Sequence, residues 1–164
     1  MTKHQRIAKT YQYICMTCIA VMSFVWLTAT PHMAQAGTAS QGGIFVPAYS
    51  SVVYGNKERE INLATTLVIR NLDPKESITL QKVEYLDENG KIVQHFLDKD
   101  RTLAPLASAR FVVPEKNEEG GVSPSFLIRW KANKDVMLPM AQAVMVGTMS
   151  SQGLSLLTEG HAIP

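Results

Sequence analysis

Residues 78–97 read ITLQKVEYLDENGKIVQHFL and contain two apolar, β-branched segments separated by a turn signal. The turn signal is Asp87-Glu88-Asn89-Gly90, because an Asn-Gly pair tolerates the positive φ angles that a tight hairpin requires. Residues 91–97 are therefore predicted to fold back on residues 78–86 as an antiparallel strand. The apolar alternation of residues 78–86 changes phase by one residue near Gln81 and Lys82, which predicts a β-bulge at that point.

The segments on both sides of this hairpin are also short and strand-like. Apolar and polar residues alternate through residues 63–71 and 125–132, as in half-buried antiparallel strands. Further short strands are expected at residues 44–49, 109–113, 140–148 and 154–158. The sequence contains no helical periodicity long enough for a helix. These patterns predict an all-β fold of about eight strands, a two-sheet antiparallel sandwich similar to immunoglobulin-like modules.

The N-terminal segment has the pattern of a secretory signal peptide. Three basic residues and no acidic residue precede an apolar run at residues 14–27, and Ala34-Gln35-Ala36 matches the small-x-small cleavage pattern. The apolar run is shorter than the roughly 20 residues that span a bilayer, so no stable membrane span is expected after cleavage. We therefore predict a signal peptide at residues 1–36, a flexible leader at 37–43 and a sandwich domain at 44–164, in the periplasm or secreted.

Composition limits the functions that the mature chain can have. Both cysteines, Cys15 and Cys18, lie within the signal segment, so the mature domain is expected to contain no disulfide. Three of the 16 basic residues also lie there, which leaves 13 basic against 14 acidic residues in the mature chain. Because this balance is slightly negative and no basic run occurs, nucleic acid is not an expected partner. The sequence leaves the oligomeric state open.

Four stretches of the mature chain carry a family resemblance: VPAYSSVVYG at 46–55, LVIRN at 67–71, LAPLAS at 103–108 and AVMVGT at 143–148. They resemble a family of exported bacterial proteins, the domain of unknown function 3124, over nearly the whole mature chain. The resemblance implies export from a bacterial cell and no particular chemistry. Members of this family often look like lipoproteins, but this chain lacks a cysteine in the position that would receive the lipid.

Catalysis is not expected, and no cofactor is expected either. The mature chain offers only His95 and His161 as imidazole bases, and no serine lies in a nucleophile-elbow motif. An uncharacterised enzyme is one alternative, because fold class alone does not exclude it. A periplasmic copper carrier is another, since thioether and imidazole ligands suit copper(I). Its candidate ligands are Met137, Met140, Met145, Met149 and His161.

A protein is the predicted partner, and two segments are the candidate binding surfaces. Tyr49 and Tyr54 lie in an aromatic and small-residue segment, and tyrosine combines apolar area with a polar handle. Residues 147–153 form a polar turn whose side chains are suited to adaptable hydrogen bonds. The candidates in that turn are Ser150, Ser151 and Gln152. The mature chain is thus predicted to be a binding or interaction module.

Overall fold

The computed structural model describes residues 37–56, 59–148 and 153–164, and in these residues the chain is all-β with twelve strands and no helix. The all-β prediction is confirmed. Within the same residues no helix is long and apolar enough to cross a membrane. The strands are β1 (Thr38–Pro47), β2 (Ser51–Tyr54), β3 (Arg59–Asn62), β4 (Ala64–Arg70), β5 (Ile78–Leu86), β6 (Ile92–His95), β7 (Arg101–Leu103), β8 (Ser108–Val113), β9 (Ser125–Met137), β10 (Met140–Gly147), β11 (Leu154–Glu159) and β12 (His161–Ile163).

The described strands form three sheets, in which every pairing is antiparallel. One sheet has six strands in the order β12-β1-β9-β5-β6, with β7 also paired to β5. A second sheet has four strands in the order β11-β10-β4-β8, and β2 pairs with β3 in a small separate hairpin. Both large sheets contribute their inner faces to a single hydrophobic core.

The alternation in the sequence predicts which faces point into this core. In β9, Phe126, Ile128 and Trp130 are buried, while the intervening residues are half-buried or exposed. In β4, Leu67 and Ile69 are fully buried on one face. The predicted bulge of β5 is confirmed, because the pairing of β5 with β9 shifts register between Leu80 and Lys82.

The predicted hairpin between β5 and β6 is also confirmed, but its turn differs from the expected one. Of the two residues in the Asn-Gly pair, only Gly90 has a positive φ, at 80°. The amide of Gly90 donates to the carbonyl oxygen of Asp87 at 3.0 Å, and the amide of Asp87 donates to that of Lys91 at 2.9 Å. This is a three-residue loop that needs only one left-handed position, which the glycine supplies.

Both ends of the described chain differ from the sequence-based expectation. Residues 38–43, assigned above to a flexible leader, belong to β1, which begins at Thr38 and pairs with the far end of β9 around Met137. His161 lies beyond the last predicted strand at residues 154–158, and in the structure it belongs to β12, opposite Phe45. Strand β9 is longer than residues 125–132, and its extension supplies the partner that orders the start of β1. These pairings join residues distant in sequence, which alternation within one segment does not report.

The chain changes sheets at Gly160, between β11 and β12. A Cβ atom at this position would lie 2.6 Å from Cγ2 of Ile44 and 3.0 Å from Cγ2 of Val46. The amide of Gly160 donates to the carbonyl oxygen of Ala141 at 2.8 Å. A residue without a side chain is needed here because the backbone passes directly over the core residues of β1.

Candidate functional site

The two predicted tyrosines lie at the two ends of β2, the first strand of the small β2–β3 hairpin. Tyr49 is 41% exposed just before β2, and Tyr54 is 45% exposed at the end of that strand. Val53, between them on β2, is 59% exposed. We call these three side chains the hairpin ridge. Gly55, with a φ of 69°, begins the turn that follows the ridge.

The base of the hairpin ridge is held by hydrogen bonds from its backbone. The amide of Ala48 donates to the carbonyl oxygen of Pro124 at 2.9 Å, and the amide of Ser50 donates to that of Val122 at 3.2 Å. The amide of Tyr49 donates to Sδ of Met145, 3.3 Å away in the core. Because its backbone is fixed in this way, Tyr49 presents its ring on a rigid base, which lowers the entropy that binding would cost.

Two shallow grooves flank this base. The first, which we call the acidic groove, has a volume of about 300 Å³ and is lined by Ser50, Ser51, Glu60, Asn62, Glu115, Asn117, Glu118, Gly121 and Val122. The second, which we call the tyrosine groove, has a volume of about 250 Å³ and is lined by Phe45, Pro47, Ala48, Tyr49, Leu86, Asp87, Glu88, Gly90, Ser123, Pro124 and Ser125. The segments around residues 48–50 and 122–124 separate the two grooves.

Carboxylates are the charged groups in the lining of both grooves. The acidic groove contains Glu60, Glu115 and Glu118, and the tyrosine groove contains Asp87 and Glu88; no lysine or arginine of the described residues lines either one. Oε2 of Glu88 accepts a hydrogen bond from the amide of Val122 at 3.2 Å. The linings of the two grooves are therefore suited to cationic groups.

Sequence reasoning did not identify these carboxylates as part of a site. They come from β3, from the β5–β6 turn and from the loop after β8, and only the fold places them around one ridge. The loop at residues 116–121 reads as an ordinary solvated loop in the sequence. The one available signal is the presence of three glutamates within residues 115–119.

Three of the predicted site residues, Ser150, Ser151 and Gln152, lie outside the described residues. The described start of their turn, Gly147, lies beside the small hairpin. A Cβ atom at Gly147 would be 2.7 Å from Cγ2 of Ile61 and 2.8 Å from Cδ2 of Leu63. The end of β10 therefore packs against β3 and the residue that leads into β4.

The structure does not bring the two candidate histidines together. A direct row of cross-strand neighbours runs across the six-stranded sheet from His161 through Phe45, Leu127 and Glu84 to His95. Four strand spacings separate the two imidazoles, a distance of roughly 19 Å. His95 lies 3.4 Å from Glu84, measured from Nδ1 to Oε1. The Glu84 carboxylate is nearly buried, with 5% of its side chain exposed, which the alternation of β5 did not predict.

Two of the candidate copper ligands are accounted for: one lies in the core and one lies outside the described residues. Met145 is fully buried and its sulfur accepts the hydrogen bond from Tyr49. Met149 lies outside the described residues. Within the described part of the chain, no three histidine, cysteine, aspartate or glutamate side chains are grouped as metal ligands. No feature of the structure favours the copper-carrier alternative.

Tyr85 lies beneath the loop that forms one wall of these grooves. Its ring is fully buried and packs against Phe126, with 5.1 Å between the ring centroids. Its hydroxyl lies against Gly120 and Pro124 and has no hydrogen-bond partner among the described residues. Burial raises the pKa of Tyr85 to about 12. This side chain is therefore a neutral, structural support of the loop.

Comparisons with known proteins find a matching family and a solved structure to which the chain is similar. The crystal structure of Thermotoga maritima 1070 aligns with 73% of this chain and 92% of its own, at 17% identity and a TM-score of 0.42. The comparison with curated proteins finds no match. The family described as Protein of unknown function (DUF3124) matches residues 41–163, which include nearly all of the described strands. The chain therefore belongs to this DUF3124 family, as the four quoted stretches suggested.

Proposed function

We propose that this protein is an exported bacterial module of the immunoglobulin-like sandwich type, which binds another protein and has no catalytic activity of its own. The signal-peptide pattern of residues 1–36 supports export to the periplasm or the medium. Two large antiparallel sheets on one core support the sandwich assignment.

The observation that carries this proposal is the exposure of the hairpin ridge. Tyr49, Val53 and Tyr54 are each more than two-fifths exposed, and all three lie on or beside β2. Three large exposed side chains of this kind within six residues support an interaction surface at this end of the domain. Tyrosine is also among the residues that contribute most to binding free energy when an interface buries them.

The charges around the ridge indicate the chemistry of the partner. The linings of both grooves carry carboxylates, so the partner segment that lies beside the ridge should carry lysine or arginine. Such charges at the rim of an interface chiefly raise the association rate, and salt screens them. The partner is thus an exported protein with a basic, surface-exposed segment.

Site-specific photo-crosslinking in exporting cells tests the proposal. A photoreactive residue at Val53 should form a crosslink to one defined protein, and Tyr49→Ala with Tyr54→Ala should abolish it because both aromatic anchors are lost. The matched control position is Leu106, which is 68% exposed beyond the opposite end of β4. The proposal is wrong if Val53 gives no specific crosslink, or if Leu106 captures the same protein equally well.

A salt titration of the captured complex tests the charge argument separately. Complex formation should weaken as ionic strength rises, and Glu115→Gln with Glu118→Gln should reduce both the association rate and its salt dependence. An association rate that neither salt nor these substitutions change would show that the carboxylates do not contact the partner.

A further inference from the structure

The outer face of the four-stranded sheet carries several exposed apolar side chains. Four side chains on three strands form it, and we call them the valine face: Val112, Val144, Val146 and Leu157. Their exposed fractions are 46%, 37%, 40% and 59%. Apolar side chains that are contiguous on the solvent side of a sheet indicate an interaction surface.

The strand register places three of these residues in one row across the sheet. Leu157 on β11 lies opposite Val144 on β10, and Val144 lies opposite Thr66 on β4. Thr66 in turn lies opposite Val112 on β8. One continuous row therefore crosses the whole sheet, with an apolar residue at each edge. Val146 lies two residues along β10 from this row and widens the same face.

The neighbouring row carries opposite charges at its two ends. It runs from Glu159 on β11 through Gln142 and Val68 to Arg110 on β8. The amide nitrogen of the Gln142 side chain lies 3.4 Å from Oε1 of Glu159. The acidic end and the basic end of the row are thus on opposite edges of one sheet face.

We propose that the valine face binds a second copy of this chain, with a two-fold axis parallel to the strands. This rotation reverses the strand order, so β11 of one copy lies over β8 of the other. Positions along the strands are unchanged, so each row of one copy faces the same row of the second copy. Leu157 then meets Val112 of the second copy, and Glu159 meets Arg110 of the second copy, twice in each dimer. A face with this arrangement of charges is complementary to itself, as an isologous interface requires. Sheets packed in this aligned way lie about 10 Å apart, a gap that Glu and Arg side chains bridge.

The small size of the face indicates a weak dimer. Four strands about 4.8 Å apart, each about seven residues long, give a contact of roughly 19 by 23 Å on each copy. This is at the small end of specific interfaces, where association is weak and reversible. We therefore expect a dissociation constant on the order of tens of micromolar.

Sedimentation velocity tests the dimer. The sample is the purified protein, expressed from the sequence of residues 1–164. Over concentrations from about 1 to 500 µM, the protein should change from monomer to dimer. Val144→Lys should weaken association at least tenfold, because it places a like charge near the two-fold axis. Leu106→Lys, an equal change of charge at the end of the domain, should have no effect. A protein that stays monomeric throughout this range would overturn the proposal.

Charge exchange tests the two-fold arrangement itself. Arg110→Glu and Glu159→Arg should each weaken the dimer, since each places two like-charged pairs across the interface. The double variant restores both pairs with reversed sign and should recover the dissociation constant of the original protein within about threefold. A double variant as weak as the single ones would refute this arrangement. Tyr49→Ala with Tyr54→Ala should dimerise normally, so failure of the dimer and failure of the proposed partner binding are distinguishable.

Discussion

Replacing Tyr85 with phenylalanine should stabilise this protein. The hydroxyl of Tyr85 is buried without a hydrogen-bond partner among the described residues, and an unsatisfied buried polar group costs about 1–3 kcal/mol. Phenylalanine keeps the ring and its contact with Phe126 but removes this cost. Allowing for the small space left by the oxygen, we expect Tyr85→Phe to raise the free energy of unfolding by about 1 kcal/mol, or the Tm by about 4 °C.

The same substitution should change how stability depends on high pH. The pKa of Tyr85 rises from its ordinary value of 10.0 to about 12 in the folded protein. Below pH 10 the phenol is neutral in both the folded and the unfolded chain. Ionisation of Tyr85 therefore does not lower the free energy of unfolding in this range. Between pH 10 and 12 the unfolded chain loses the proton first, so stability falls by up to 1.4 kcal/mol per pH unit. At pH 11 the original protein should have lost about 1.4 kcal/mol that Tyr85→Phe retains.

Urea unfolding at pH 7, 9 and 11 measures both effects. Tyr49→Phe is the matched control, because it removes a hydroxyl from a side chain that is 41% exposed and should leave stability nearly unchanged at pH 7. Both variants contain the other titrating groups. The difference between their free energies of unfolding at each pH therefore excludes the contribution of those groups. A loss of 1 kcal/mol or more in Tyr85→Phe at pH 7 would show that the hydroxyl is hydrogen-bonded. An unchanged difference from the original protein at pH 11 would show that the pKa of Tyr85 is not raised in the folded protein.

Four further outcomes are expected. Trp130→Ala should lower the free energy of unfolding in urea by about 3–5 kcal/mol, because the indole is 2% exposed in the core. Unchanged stability would show that the indole faces solvent. Gly160→Ala should cost about 1–3 kcal/mol through the contacts of its new methyl group with β1, whereas an unchanged Tm would mean that β11 and β12 shift freely. Asn71→Ala should lower the free energy of unfolding by about 2–3 kcal/mol, because the Asn71 side-chain amide donates to the carbonyl oxygens of Glu76 and Ala104 at 2.7 and 3.0 Å. Calorimetry measures this loss, and a loss below about 0.5 kcal/mol would contradict the prediction. Intact-mass measurement of the exported protein should show a chain beginning at Gly37, and a species that retains residues 1–36 would contradict cleavage.

The fold class and several strand faces could be predicted from the sequence because they depend on local pattern. Alternation places Trp130 and Leu67 in the core, and a change of phase places the bulge next to Lys82. The hairpin at Asn89-Gly90 was predictable for the same reason, since its turn is determined by adjacent residues. For the proposed binding surface, the tyrosines of the ridge were predicted from their residue type, and the structure shows both to be partly exposed.

Only the tertiary structure decided which distant segments meet. Strand β1 starts at Thr38 because the end of β9 lies beside it, and β12 forms because Gly160 lets the chain change sheets. The carboxylates of the two grooves come from separate parts of the chain, and the charges of Glu159 and Arg110 share a row only through the register of four strands. Alternation along one strand reports which face is buried, but it contains no information about the partner strand or the register. Those depend on contacts between residues far apart in sequence, which form when the two sheets close on one core.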